Sequence, residues 1–212
     1  MRPNPHLRFE RRFWQGGCTL VAGMDEAGRG ALAGPVAVGA VILPAAGFQS
    51  HTSHSINRLL RGVRDSKQMT PAEREEAAVR IRVHAAAWGV GFASAEEIDH
   101  GGIVSATRLA ASRALEAMGF YPEALLTDFR LELPELDIPQ EALVKGDARC
   151  LSIAAASVLA KTSRDALMRE LDAQVPGYGL ARHKGYGTAF HREAIRALGM
   201  SSIHRQSFSV RL

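Results

Sequence analysis

The chain has 212 residues, 46% of them apolar and 23% charged, a composition that excludes a disordered or fibrous chain. Twenty-six lysines and arginines against 22 acids give a net charge of +4, mild overall but uneven along the chain. Cys18 and Cys150 stand far apart in no CxxC pattern, which argues against a disulfide framework or zinc site and makes a reducing cytoplasm the expected setting.

Residues 1–18 open with "MRPNPHLRFERRFWQGG", which carries four arginines and lacks the apolar stretch of a secretion signal. They read as a short, loose basic arm before one α/β domain spanning 19–212. Thr19–Asp25 is a strand, and Val36–Leu43 is a second, apolar on both faces. Residues 31–48 are uncharged, but Gly34, Pro35, Gly39, Pro44 and Gly47 interrupt them, so they read as a buried strand and not a membrane helix. "QSHTSHSINR" is a polar loop. Thr70, Pro71 and Glu73 form a capping box with proline at the first helical position, predicting a helix to about Val83.

"AWGVGFA" is a third strand. Ala106, Ala110, Ala114 and Met118 recur every four residues on the next helix, which Gly119 stops. "ALLTD" (124–128) and "EALVK" (141–145) are short strands, and "ARCLSIAAASVLAKTSRDALMRELDAQ" is a long helix, alanine-rich where it packs closely. Strands and helices alternate only in the later half, which predicts a mixed sheet. Residues 181–212 carry six lysines and arginines against Glu193 alone. Such a tail suits a polyanion partner, and it equally suits a solvated face.

Three apolar segments end in acid: "VAGMDE", "ALLTD" and "LVKGD". Functional groups of α/β proteins gather where strands end, so Asp25, Glu26, Asp128 and Asp147 are candidates for one carboxylate cluster. Four acids in one place cannot all stay ionised unaided, and hard divalent cations would neutralise them. Simpler readings stand beside this one: Asp147 as a helix N-cap and Asp128 as the start of a turn. Neighbours on a regular strand point to opposite faces, so Asp25 and Glu26 share a site only if the strand ends between them. A rival reading takes "GRGALAG" as a dinucleotide loop. It fails, because a strand follows where that fingerprint needs a helix, and no acid lies between Glu26 and Asp65 to hold a ribose.

Taken together, "MDEAGRGALAGPV", "DSKQMT", "KGDARCLSIAAASVLAKTSRDALM", "HKGYGTAFH" and "IHRQSF" resemble the successive motifs of the ribonuclease HII family, from about Val21 to Phe208. The resemblance implies a ribonuclease H-like fold, a central mixed sheet flanked by helices with a helical C-terminal extension (about 175–212). It implies a metal-dependent endonuclease that hydrolyses the RNA strand of RNA–DNA hybrids. Such an enzyme also cuts 5′ of ribonucleotides embedded in duplex DNA, leaving 3′-hydroxyl and 5′-phosphate ends. The family's metal-binding acids fall on Asp25, Glu26 and Asp128, with Asp147 as the fourth acid of the site and Mn²⁺ or Mg²⁺ as the ion. Its substrate contacts fall on Gly28, Arg29, Gly30, Lys67 and Tyr186. The implied partners are hybrids and ribonucleotide-containing duplexes, with no membrane, for a monomer. All four acids are present, which favours an enzyme over a binder with a crippled site.

Two positions depart from the family's pattern, Phe129 where glycine is usual and Gly102 where an asparagine is common. The sister family, ribonuclease HIII, has an additional N-terminal domain, and with about 20 residues before Val21 none is expected here. Outside the motifs, Lys161 and Asp165 suggest a helix-surface ion pair, Asp65 a turn-former, and His191 and His204, taken alone, surface or capping residues.

Overall fold

The apolar segments of the sequence assemble into one five-stranded sheet, seen in a computed structural model that describes residues 4–45, 56, 58–128 and 131–210. The strands are β1 (Val21–Ala27), β2 (Val36–Ile42), β3 (Ala87–Ala93), β4 (Ala124–Asp128) and β5 (Gln140–Leu143), in the spatial order β3-β2-β1-β4-β5. β1 pairs antiparallel with β2, and β2 with β3, while β1–β4 and β4–β5 are parallel. The sheet is mixed, as the unequal alternation of elements predicts. Most of "QSHTSHSINR", and Phe129, lie outside the described residues.

Six helices surround it among the described residues: α1 (Arg8–Gln15), α2 (Pro71–His84), α3 (Ala95–Met118), α4 (Leu151–Gln174), α5 (Leu180–His183) and α6 (Ala189–Leu198). Thr70 and Glu73 close the expected capping box at the start of α2, and Ser94 and Glu97 close another on α3. Gly119 ends α3 in the left-handed conformation, and Gly102 (φ 77°, ψ 162°) kinks it. Helix α4 covers one face of the sheet together with α2, and α3 covers the other. The close fit of α4 depends on missing side chains. A Cβ at Gly39 of β2 would lie 2.3 Å from the Ala156 carbonyl oxygen. Alanine on the helix and glycine on the strand therefore let backbone approach backbone.

The expected loose arm is instead helix α1, docked on the domain. Phe9 and Trp14 are buried, Arg8 and Arg12 face solvent, and Glu10 is fully enclosed. Glu10 Oε1 accepts hydrogen bonds from the Ser152 amide (2.8 Å) and the Cys150 thiol (3.2 Å). It thus satisfies one of the orphan amides at the start of α4 from a residue far away in sequence. The arginines make the segment look merely charged; its apolar residues on the buried side decide the outcome. Both cysteines are free, and no described helix is long and apolar enough to cross a membrane.

Candidate active site

The parallel register of β1 with β4 runs from Val21–Ala124 to Met24–Thr127 and stops there. The next residues on the two strands are Asp25 and Asp128, so the pairing delivers two carboxylates to the same end of the sheet. β1 does not end between Asp25 and Glu26: it stays paired with β2 as far as Ala27. Alternation therefore sends Asp25 and Glu26 to opposite faces, but Glu26 projects beyond the last β1–β4 pair, and its charge still feels Asp128. Asp147 comes from a 3₁₀ turn (Gly146–Ala148) between β5 and α4. It is not the N-cap of α4; Cys150 holds that position without a side-chain bond.

Electrostatics shows the four acids acting on one another. Burial first, and the Glu26 charge second, raise the Asp25 carboxyl well above its ordinary range, with Asp128 and Asp147 adding to the effect. Burial likewise raises Glu26, against the pull of Arg29, whose guanidinium stands 3.6 Å from Glu26 Oε1. Asp147 is pushed up to about 6 by burial and by Asp65 and Asp128. Burial opposes the charge on Lys67, yet Asp25, Asp65, Asp147 and Glu26 outweigh it and hold the ammonium protonated.

Several oxygens of the cluster are already engaged. Asp25 Oδ1 accepts from the Glu26 amide (2.8 Å) and Asp128 Oδ1 from the Gly146 amide (2.7 Å). Among the described residues no three His, Cys, Asp or Glu side chains stand close enough, as placed, to enclose one ion. Glu26 Oε2, however, is buried without any hydrogen-bond partner. A lone carboxylate oxygen of that kind needs a cation or a donor.

Beside the acids lies a cavity of about 410 Å³, lined by Glu26, Gly28, Arg29, Gly30, Lys67, Lys161 and Tyr186 among others. Every substrate contact expected from the sequence lines this one space. Asp65 caps the short 3₁₀ helix Ser66–Gln68, accepting from the Lys67 amide at 2.9 Å, and so presents Lys67. The two glycines of the loop differ. Gly28 has φ +85°, and a Cβ there would strike the Arg164 side chain at 1.8 Å, so the fold itself demands glycine. A Cβ on Gly30 would meet nothing within 4 Å and would need no unusual φ. Packing gives no reason for glycine there.

Three residue assignments change. Asp165 and Lys161 (2.6 Å) do not form a surface pair: Asp165 is buried and also meets Arg74 at 3.3 Å, while Lys161 faces the cavity. His191 and His204 are buried, with their Nε2 atoms 3.1 Å apart. Arg164, and Arg205 of the basic tail read as a solvated or polyanion-binding face, are also fully buried, and both bond to backbone carbonyls around the glycine loop. Their only signal in the sequence was an arginine inside an apolar helix and another within "IHRQSF".

Interacting acids at the end of a mixed sheet, beside a cavity lined by Arg29, Lys67 and Lys161, match the ribonuclease H-like class of nucleases. The family model for ribonuclease HII matches residues 22–211. A ribonuclease HII from Dehalococcoides mccartyi is 48% identical over 97% of this chain and 93% of its own length. One from an Anaeromyxobacter species is 50% identical over 95% of this chain, which spans 60% of that relative. In structure the chain resembles ribonuclease H2 from Pyrococcus horikoshii (TM-score 0.71, 25% identity, 90% of this chain and 94% of that one). It also resembles ribonuclease HII in the PCNA complex from Archaeoglobus fulgidus (0.70, 25%, 91% and 96%). The chain belongs to the ribonuclease HII family, the type 2 ribonucleases H.

Proposed function

We propose that this enzyme cuts on the 5′ side of a ribonucleotide, both in RNA–DNA hybrids and where a single one is embedded in duplex DNA, leaving 3′-hydroxyl and 5′-phosphate ends. The observation that carries the reading is that Asp25, Glu26, Asp128 and Asp147 act on one another's charge at one end of the sheet, where Glu26 Oε2 is buried without a partner. An all-oxygen, carboxylate-rich set suits Mg²⁺ or Mn²⁺. Asp25, Glu26 and Asp128 would hold the ions, with Asp147 as the fourth acid. Such ions, when bound, supply Lewis-acid polarisation of the scissile phosphate and a water of lowered pKa.

The remaining residues do the recognising. Arg29 and Lys67 neutralise phosphates at the mouth of the cavity. The Gly28–Arg29–Gly30 backbone comes close enough to test for a 2′-hydroxyl, the local group that separates RNA from DNA. The Tyr186 ring, 36% exposed, offers a stacking surface to the sugar or base at the junction. The deciding experiment is incubation with a duplex carrying one ribonucleotide, with Mg²⁺, Mn²⁺ or EDTA. Cleavage 5′ of the ribonucleotide in metal and none in EDTA is expected; metal-independent cleavage would remove the acids from the reaction.

Two further results are expected. Gly30→Ala should melt as wild type does, because its Cβ enters open space, yet cut single-ribonucleotide duplex roughly tenfold or more slowly by holding the substrate off the backbone. Full activity in this variant would remove Gly30 from substrate contact. Affinity for duplex, measured with Ca²⁺ in place of the catalytic ion, should fall steeply with salt, the log–log slope being about −0.9 for each phosphate neutralised. A flat titration would argue against a backbone-tracking groove, and Lys67→Ala should shorten the slope by about one.

A further inference from the structure

Behind the cavity the chain buries two guanidinium groups among backbone carbonyls. Arg205 donates from Nε to Gly34 O (3.0 Å), from Nη1 to Arg29 O (2.9 Å) and from Nη2 to Gly28 O (2.8 Å). Arg164 donates to Pro35 O (2.8 Å), Lys184 O (2.9 Å) and Ala33 O (3.2 Å). A buried cation is costly, and its hydrogen bonds are the return on that cost. Their consequence is directional. The C=O and N–H of a trans peptide point opposite ways. With the Gly28 and Arg29 carbonyls turned to Arg205, the Arg29 and Gly30 amides face away from it.

The neighbour of Arg205 reaches the other side of the cavity through a chain of neutral rings. The Ser201 amide donates to His204 Nδ1 (3.0 Å), so that nitrogen is an acceptor and the ring proton sits on Nε2. His204 Nε2–H then donates to His191 Nε2 (3.1 Å), which fixes the His191 proton on Nδ1, where it donates to the Tyr186 carbonyl (3.1 Å). A backbone amide at one end thus dictates both tautomers. Burial supports it by lowering both rings, His191 to about 4, so each stays neutral at physiological pH. The Tyr186 loop is also stitched directly to the glycine segment, Gly185 O accepting from the Leu32 (2.8 Å) and Ala33 (3.3 Å) amides.

We infer that His204 and Arg205 are a pair of positioning residues that sets the distance between the two elements reading the ribonucleotide. Arg205 holds the glycine loop, and His204, through His191, holds the backbone of Tyr186. Adjacent residues of one segment therefore act as a ruler across the cavity. The inference rests on the substrate roles given above to Tyr186 and the glycine loop.

The test measures single-turnover cleavage and duplex affinity separately, on a single-ribonucleotide duplex and on an all-RNA hybrid. His204→Phe keeps a ring and removes its hydrogen bonds to Ser201 and His191; His204→Gln restores one acceptor and one donor. Arg205→Lys keeps the charge and loses the three-way fork, and serves as the second variant if His204→Phe does not fold. His204→Phe and Arg205→Lys are each expected to slow cleavage at the single ribonucleotide about 10- to 100-fold, with affinity little changed. The hybrid should suffer less, and His204→Gln should recover most of the loss. In a Tyr186→Ala background, His204→Phe should add little, since it acts through the tyrosine. Equal losses on both substrates that track melting temperature, full additivity with Tyr186→Ala, or an unimpaired His204→Phe alongside a defective Tyr186→Ala would each overturn the pair. A Tyr186→Ala enzyme cutting as wild type does would overturn the tyrosine reading beneath it.

Discussion

Asp25→Asn is expected to abolish cleavage and, in EDTA, to melt at a higher temperature than wild type. Asp25 is 4% exposed, beside three other acids, and its carboxyl is raised well above the ordinary range by burial and then by Glu26. A raised carboxyl contributes stability only while protonated: the contribution is whole below the unfolded pKa near 4 and declines as pH rises toward the folded value. The gain in melting temperature should therefore begin near pH 4 and grow with pH. The amide is nearly isosteric, and its oxygen can still accept the Glu26 N–H that Asp25 Oδ1 accepts at 2.8 Å. What it cannot do is serve a hard cation as a charged ligand. Melting curves in EDTA and in Mg²⁺, beside turnover, check both halves. Wild-type turnover would remove Asp25 from the site, and a lower melting temperature in EDTA would show that the acids are not in mutual strain.

Tyr186→Ala is expected to lose about 1–3 kcal/mol of interaction with the substrate, the range for base–aromatic stacking, or roughly 5- to 150-fold in cleavage. The loss should be largest at a single embedded ribonucleotide, where one sugar must be placed against the acids. Tyr186→Phe should keep much of the activity, because the ring survives. The ring already has cationic neighbours, Lys161 Nζ at 5.8 Å and the Arg164 guanidinium carbon at 5.7 Å from its centre, and the residue remains partly open to solvent. Removing an exposed ring should leave the melting temperature nearly unchanged. An alanine variant that melts normally and cuts a single-ribonucleotide duplex at full rate would end the junction-sensing role.

What the sequence made legible was set by local chemistry. The capping box at Thr70 and Glu73, the Gly119 stop and the apolar runs of β1 and β2 each depend on residues within a few positions of one another, and the structure keeps them. The α1 helix was hidden because the partners of Glu10, Cys150 and Ser152, lie 140 and 142 residues further along the chain. The surroundings of His191 and His204 were hidden for the same reason: a histidine's exposure is decided by tertiary packing, and its type alone carries no hint of it. For the acids, three apolar runs ending in carboxylates pointed to a shared place. Only the β1–β4 register shows how Asp25 and Asp128 come side by side, and that register joins strands separated by β2, β3 and two long helices.

That register also bears on how the protein is made. β1 finds β2 almost at once on the growing chain, but its other neighbour, β4, emerges only after α2, β3 and α3, and the partner of Glu10 later still. At the usual pace of synthesis, about 5–20 residues per second, one edge of β1 waits several seconds for its mate. During that wait the unpaired edge is Val21–Met24, and Asp25 and Glu26, directly beyond it, put charge beside that edge, which discourages another nascent chain from pairing there. The same two carboxylates that strain the finished molecule would thus guard the unfinished one against aggregation.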